Sequence, residues 1–99
     1  MSFEVRLAPA AADDLQRLVE FLANNDINAA VRARSAIGDA LKFLSVFPFS
    51  CRKAFAKSPF LREMIITFGR DGYVALFEIE HTTRVTILAV RHQCEDDHY

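Results

Sequence analysis

The side chains able to move a proton or hold a phosphate gather towards the C-terminal end of the chain. They are Arg62, Arg70, Arg91, His92, His98 and Tyr99. Cleaving RNA to a cyclic phosphate needs a base for the 2′-hydroxyl, a cation for the phosphate and an acid for the leaving oxygen. A histidine titrating near pH 6.5 and a permanently charged arginine could divide that work. Plainer readings compete. A terminal His-Tyr is also what a frayed tail looks like. Arg62 and Arg91, read as lying on adjacent strands, could simply pair with Glu63, Glu78 or Glu95. The acidic run Glu95-Asp96-Asp97 would repel RNA beside such a site, and a formal net charge of −1 offers little attraction. Charge therefore disfavours direct nucleic-acid binding overall, while leaving room for local patches.

Other chemistries find less support. His81, His92 and His98 lack metal-ligand spacing with Cys51 or Cys94, so neither a metal site nor a cofactor is expected. Cys94 lies beside Glu95 and Asp96, which would raise its pKa and disfavour a nucleophilic thiol. Gly69-Arg70-Asp71-Gly72 reads as a turn, since no helix follows it to form a phosphate-binding loop. Two distant cysteines without metal spacing read as reduced thiols. The first residues lack the apolar stretch of a signal peptide, and no run reaches the roughly 20 apolar residues that span a membrane. A cytoplasmic, non-membrane protein is the expectation.

These residues need a scaffold, and the apolar pattern supplies one. The 99 residues suit a single domain over 1–99, and 52% hydrophobic content argues for a packed core. Phe3, Val5 and Leu7 alternate with polar neighbours and predict a strand. After Pro9, Leu15, Leu18, Val19 and Leu22 form a helical stripe, with Asp13 placed to pair with Arg17 one turn on. Asn24-Asn25 ends that helix. Asp26 is the expected N-cap of a second helix, with Ala30, Ile37, Leu41 and Leu44 buried, Ala33 and Ala40 allowing close approach, and Pro48 as its stop. Residues 49–59 read as a basic loop holding Arg52, Lys53 and Lys57. Strands follow at 61–68, 73–80 and 85–91, with Asp71-Gly72 as a hairpin turn. The expected fold is α+β, in the order β-α-α-β-β-β, with a helical hairpin packed on an antiparallel sheet.

Two helices cover one sheet face only, yet both faces read as apolar. Tyr73, Ala75, Phe77 and Ile79 oppose Val74 and Leu76. Met64, Ile66 and Phe68 oppose Leu61 and Ile65. Val85, Ile87 and Ala89 oppose Leu88 and Val90. Strands of this kind are buried on both sides. The second face awaits either a partner protein or the 49–59 loop and the C-terminal tail.

The run Leu61-Arg62-Glu63-Met64, with Phe68-Gly69 and Gly72-Tyr73-Val74, resembles the RelE/ParE toxins, especially the ParE-like plasmid-stabilisation branch. So do the ending from Ile87 to Gln93 and the opening Leu7-Ala8-Pro9 with Ala12-Asp13-Asp14-Leu15. The resemblance spans nearly the whole chain, and its C-terminal block is the most specific part. It implies a toxin held inactive by a cognate antitoxin that lays a helix in an apolar groove and a strand on a sheet edge. Leu61, Val74, Leu76, Leu88 and Val90 are then the expected antitoxin contacts, and Arg62, Arg91 and His92 the expected target contacts. ParE-like members are associated with inhibition of DNA gyrase, and RelE-like members with cleavage of mRNA on the ribosome. One fold thus leaves the chemistry open. For a ribosome-dependent nuclease the candidates are Arg62, Arg91, His92, His98 and Tyr99, the last two echoing the ending of some such enzymes. Phe77 stands where many relatives carry Tyr. A toxin that binds only its antitoxin is a third reading, and a homodimer is a further option for its assembly.

Overall fold

A computed structural model describes residues 2–68, 71–81 and 83–92. The chain runs β1 (Glu4–Leu7), α1 (Pro9–Asn25), α2 (Ile27–Leu44), a short 3-10 turn (Pro48–Ser50), β2 (Arg52–Phe55), β3 (Ser58–Phe68), β4 (Asp71–Glu80) and β5 (Arg84–His92). The strands form one sheet in the order β1-β5-β4-β3-β2. The expected α+β class holds, with a helical hairpin on one face of the sheet. Two details differ from the sequence reading. Residues 52–55 of the basic loop pair with β3 and add a fifth strand at the edge. The sheet is mixed, because β1 runs parallel to β5 from Glu4↔Arg84 to Leu7↔Ile87.

The helices begin and end where local chemistry places them. Pro9 opens α1, where its missing N–H costs nothing. Asp26 closes α1 and caps α2, its carboxylate accepting from Asn28 N–H at 3.0 Å. In α2 Ala30 and Ala33 are buried, as suits side chains small enough for close packing. The expected Asp13–Arg17 pair does not form; Arg17 pairs with Asp14 instead. Asp14 also reaches the sheet, where Oδ2 accepts from Val90 N–H at 3.0 Å. β1 ends opposite Ile87, so Val90 has no strand neighbour on that side, and Asp14 supplies the missing acceptor.

One core joins the layers. Ala11, Ala40 and Leu44 from the helices pack with Ile66, Tyr73, Ala75, Phe77, Ile79, Val85, Ile87 and Val90 from the sheet. Phe77 is fully buried in it. Its lack of a hydroxyl therefore suits a position where no polar group could be served.

Two expectations about the strands need correction. The β3–β4 register pairs Phe68 with Asp71 and Thr67 with Gly72. Asp71-Gly72 thus belongs to the ladder and is not the turn; residues 69 and 70 lie outside the described residues. In β5 the register jumps from Phe77↔Ile87 to Leu76↔Ala89, which leaves Leu88 as an inserted residue. Such a bulge inverts the side-chain alternation beyond it. Val90 joins Val85 and Ile87 on the helix side, opposite Ala75, and Ala89 moves to the far side with Leu76.

Candidate functional surfaces

The expected target-binding cations do not converge. Arg62 lies opposite Phe77, which puts it on the helix side of the sheet. Its guanidinium donates to the carbonyl oxygens of Pro59 at 2.6 Å, Cys51 at 2.7 Å and Phe49 at 3.2 Å. It also lies 5.4 Å from the centroid of the Phe49 ring. Arg62 is thus committed to tying the segment after α2 onto β3. Nor does it pair with a neighbouring carboxylate as expected: Glu63 sits on the other face and accepts from Arg52 at 3.0 Å.

Arg91 pairs with Val74 in the register, on the face away from the helices. The two arginines are therefore on opposite faces of strands that β4 separates, not on adjacent strands. His92 pairs with Tyr73 on the helix side, the two rings edge to face at 5.4 Å. Arg62 and His92 lie opposite residues four positions apart on β4. Strand geometry then separates their Cα atoms by about 16 Å, too far for one phosphodiester. Arg70, Cys94, His98 and Tyr99 fall outside the described residues. The described candidates therefore assemble no base, cation and acid around one point. Cys51 is half-buried, and burial pushes its thiol pKa up, against the opposing pull of Arg62 and a hydrogen bond with Ser50. Among the described residues no group of three His, Cys, Asp or Glu could hold a metal. A shallow groove on α1, lined by Asp13, Asp14, Gln16, Arg17 and Glu20, is a solvated charged helix face.

The second face of the sheet has an apolar centre and a charged end. Val74 and Leu76 are buried there, with Leu61 and Leu88 half-buried and Ile65 42% exposed beside them. Of the expected antitoxin contacts, Leu61, Val74 and Leu76 share this face, Leu88 occupies the bulge, and Val90 belongs to the core on the opposite side. The segment around 49–59 does not fold over this face, since β2 extends the sheet sideways; the tail from 93 lies outside the described residues. Towards β1 the face becomes ionic. Glu80 accepts from the Thr86 hydroxyl at 2.6 Å, and Arg84 lies 3.4 Å from Glu4 and 3.7 Å from Glu80. An apolar centre with a charged border is how protein-binding surfaces are built. Sequence reading missed the bulge and the Arg62 clamp, because neither has a local signature.

Comparison with known proteins agrees with this architecture. The family model for the ParE toxin of the type II toxin–antitoxin system parDE matches residues 5–97. Among curated proteins, Toxin RelE3 of Caulobacter vibrioides is 33% identical over 91 residues, covering 92% of this chain and 95% of its own. Toxin RelE1 of the same organism is 32% identical over 89 residues, with 86% and 92% covered. A solved structure of a chromosomal ParDE TA system from P. aeruginosa superposes with a TM-score of 0.68 at 19% identity. It covers 91% of this chain and 95% of that one. At that identity the likeness speaks for the fold.

Proposed function

Because the chain belongs to the ParE toxin family of type II toxin–antitoxin systems, we propose that it inhibits DNA gyrase by binding, without catalysis of its own, and that a cognate antitoxin neutralises it. The observation that carries the binding-only part is the dispersal of the candidate catalytic groups. Arg62 is consumed by three carbonyl oxygens, Arg91 faces the other side of the sheet, and His92 packs on Tyr73. A general acid and base must meet the same substrate; an interface can draw on scattered residues. In this reading the antitoxin covers the part of that face left open, at Leu61, Ile65 and Leu88 beside the buried Val74 and Leu76, Arg91 presents a cation to the target, and the setting is the cytoplasm. The rival reading is the ribosome-dependent mRNA endonuclease, and it draws on the curated relatives named RelE.

Growth after induction separates the two. Parent, His92→Ala and a variant lacking His98 and Tyr99 are compared at matched expression, beside gyrase supercoiling and ribosome-dependent cleavage assays. Losing a proton-transfer group costs about 10²–10⁴ in rate, whereas losing one rim contact costs less than about fivefold in affinity. The expected result is lost supercoiling, no RNA cleavage and near-parental growth inhibition by both variants. Cleavage by the parent that vanishes in either variant would replace the gyrase reading with the nuclease. A parent silent in every assay would point to a chain that binds only its antitoxin.

A further inference from the structure

The basic stretch between α2 and β3 has no part in this reading, and its composition is lopsided. From Ala40 to Arg62 the chain holds Lys42, Arg52, Lys53, Lys57 and Arg62, five of its twelve cations, and none of its thirteen acidic residues. The same stretch carries Phe43, Phe47, Phe49, Phe55 and Phe60, five of the nine phenylalanines. All five are exposed, Phe47, Phe55 and Phe60 by more than half.

Folding draws these residues together. Phe43 and Phe47 meet at 5.6 Å at the end of α2. The 3-10 turn then hands the chain to Phe49, which meets Phe60 at 6.2 Å and Phe3 at 6.4 Å. Register pairs Lys53 with Arg62 and Phe55 with Ser58. Lys53 therefore lies with Arg62 on the helix side of the sheet, and Phe60 joins it there through Phe49, outside the core cluster; the ladder shifts register between Lys53 and Phe55. β2 beside them is the edge strand. Two of the cations are committed: Arg62 to carbonyl oxygens and Arg52 to Glu63 on the other face. Lys42, Lys53 and Lys57 are exposed.

We propose that this surface docks an amphipathic protein segment whose polar side is acidic. Clustered exposed rings of this kind mark binding surfaces. They call for large apolar side chains presented along one side of a helix or strand. Lys53 and Lys57, with no carboxylate near them in sequence, call for Asp or Glu flanking those apolar side chains. Single-stranded nucleic acid also uses rings and cations together. The balance here favours protein, because arginine is the better phosphate ligand and both arginines are engaged within the fold. The surface lies across the sheet from Val74 and Leu76, so the proposal stands apart from the antitoxin contacts assigned there and from gyrase as target.

The test uses the full chain and a fluorescein-labelled helical peptide with leucines at i, i+3, i+4 and i+7 and glutamates elsewhere, followed by anisotropy. Controls are the same peptide with lysines for glutamates, and oligothymidylate. The variants are Phe47→Ser, Phe60→Ser and the pair Lys53→Glu with Lys57→Glu; Ile65→Ser on the other face is the reference. The acidic peptide should bind, weaken about tenfold or more in each of the first three variants, weaken with salt, and ignore Ile65→Ser. Thermal melting checks each variant. Should a serine variant unfold, the milder pair Lys53→Ala with Lys57→Ala, together with the salt dependence, decides the matter. Equal binding of the lysine peptide, no binding of the acidic one, or tighter binding of oligothymidylate would overturn the proposal.

Discussion

Replacing Arg62 by Ala tests whether this cation is a structural clamp. The side chain makes three hydrogen bonds to carbonyl oxygens and stacks on Phe49. Two of the bonds are exposed, at Pro59 and Phe49, and water can replace them at little cost. The bond to Cys51 is partly buried, and a charged hydrogen bond of that kind contributes about 1.5–3 kcal/mol. The ring contact adds about 0.5–1 kcal/mol. Arg62→Ala should therefore cost about 2–4 kcal/mol, a large share of the roughly 5–15 kcal/mol of a typical domain. For a chain of this length that lowers the melting temperature by about 10–20 °C. Arg62→Lys should recover little, since one ammonium cannot reach three carbonyls as a planar fork does. Chemical denaturation measures the loss, and hydrogen exchange should show residues 49–57 opening first. A loss below about 0.5 kcal/mol with unchanged exchange would refute the clamp. Arg62→Ala that abolished toxicity at full stability would return Arg62 to the target-binding surface.

Two further substitutions probe how the layers are joined. Leu44→Ala empties a site 1% exposed at the centre of the shared core and should cost about 3–5 kcal/mol, whereas the half-buried Leu41→Ala should cost nearer 2 kcal/mol; denaturation curves of the two variants give the order directly. Asp14→Ala removes the acceptor for Val90 N–H and should cost about 1–3 kcal/mol, with faster exchange of the Val90 amide as its specific signature.

Much of the fold was legible because its causes are local. Pro9, Asp26 and the spacing from Ala30 to Leu44 define two helices through a missing donor, a cap and a 3.6-residue stripe. The alternation in 61–67 and 73–80 defines strands and assigns their faces correctly, since one strand's pleat needs no partner. The family resemblance rested on residues spread over the same elements. What the sequence left open depends on which backbone meets which. Residues 52–55 carry no strand signature of their own and become β2 because β3 offers an edge. Asp71 and Gly72, which read as a turn, join the ladder because Phe68 and Thr67 pair with them. One inserted residue, Leu88, sends Val90 into the core and Arg91 to the far face, because parity along a strand inverts with each extra residue. Arg62 and Arg91 look equivalent in the sequence, as cations on neighbouring strands. Only the tertiary structure separates them, because β4 lies between and the carbonyls of a distant segment close around one guanidinium.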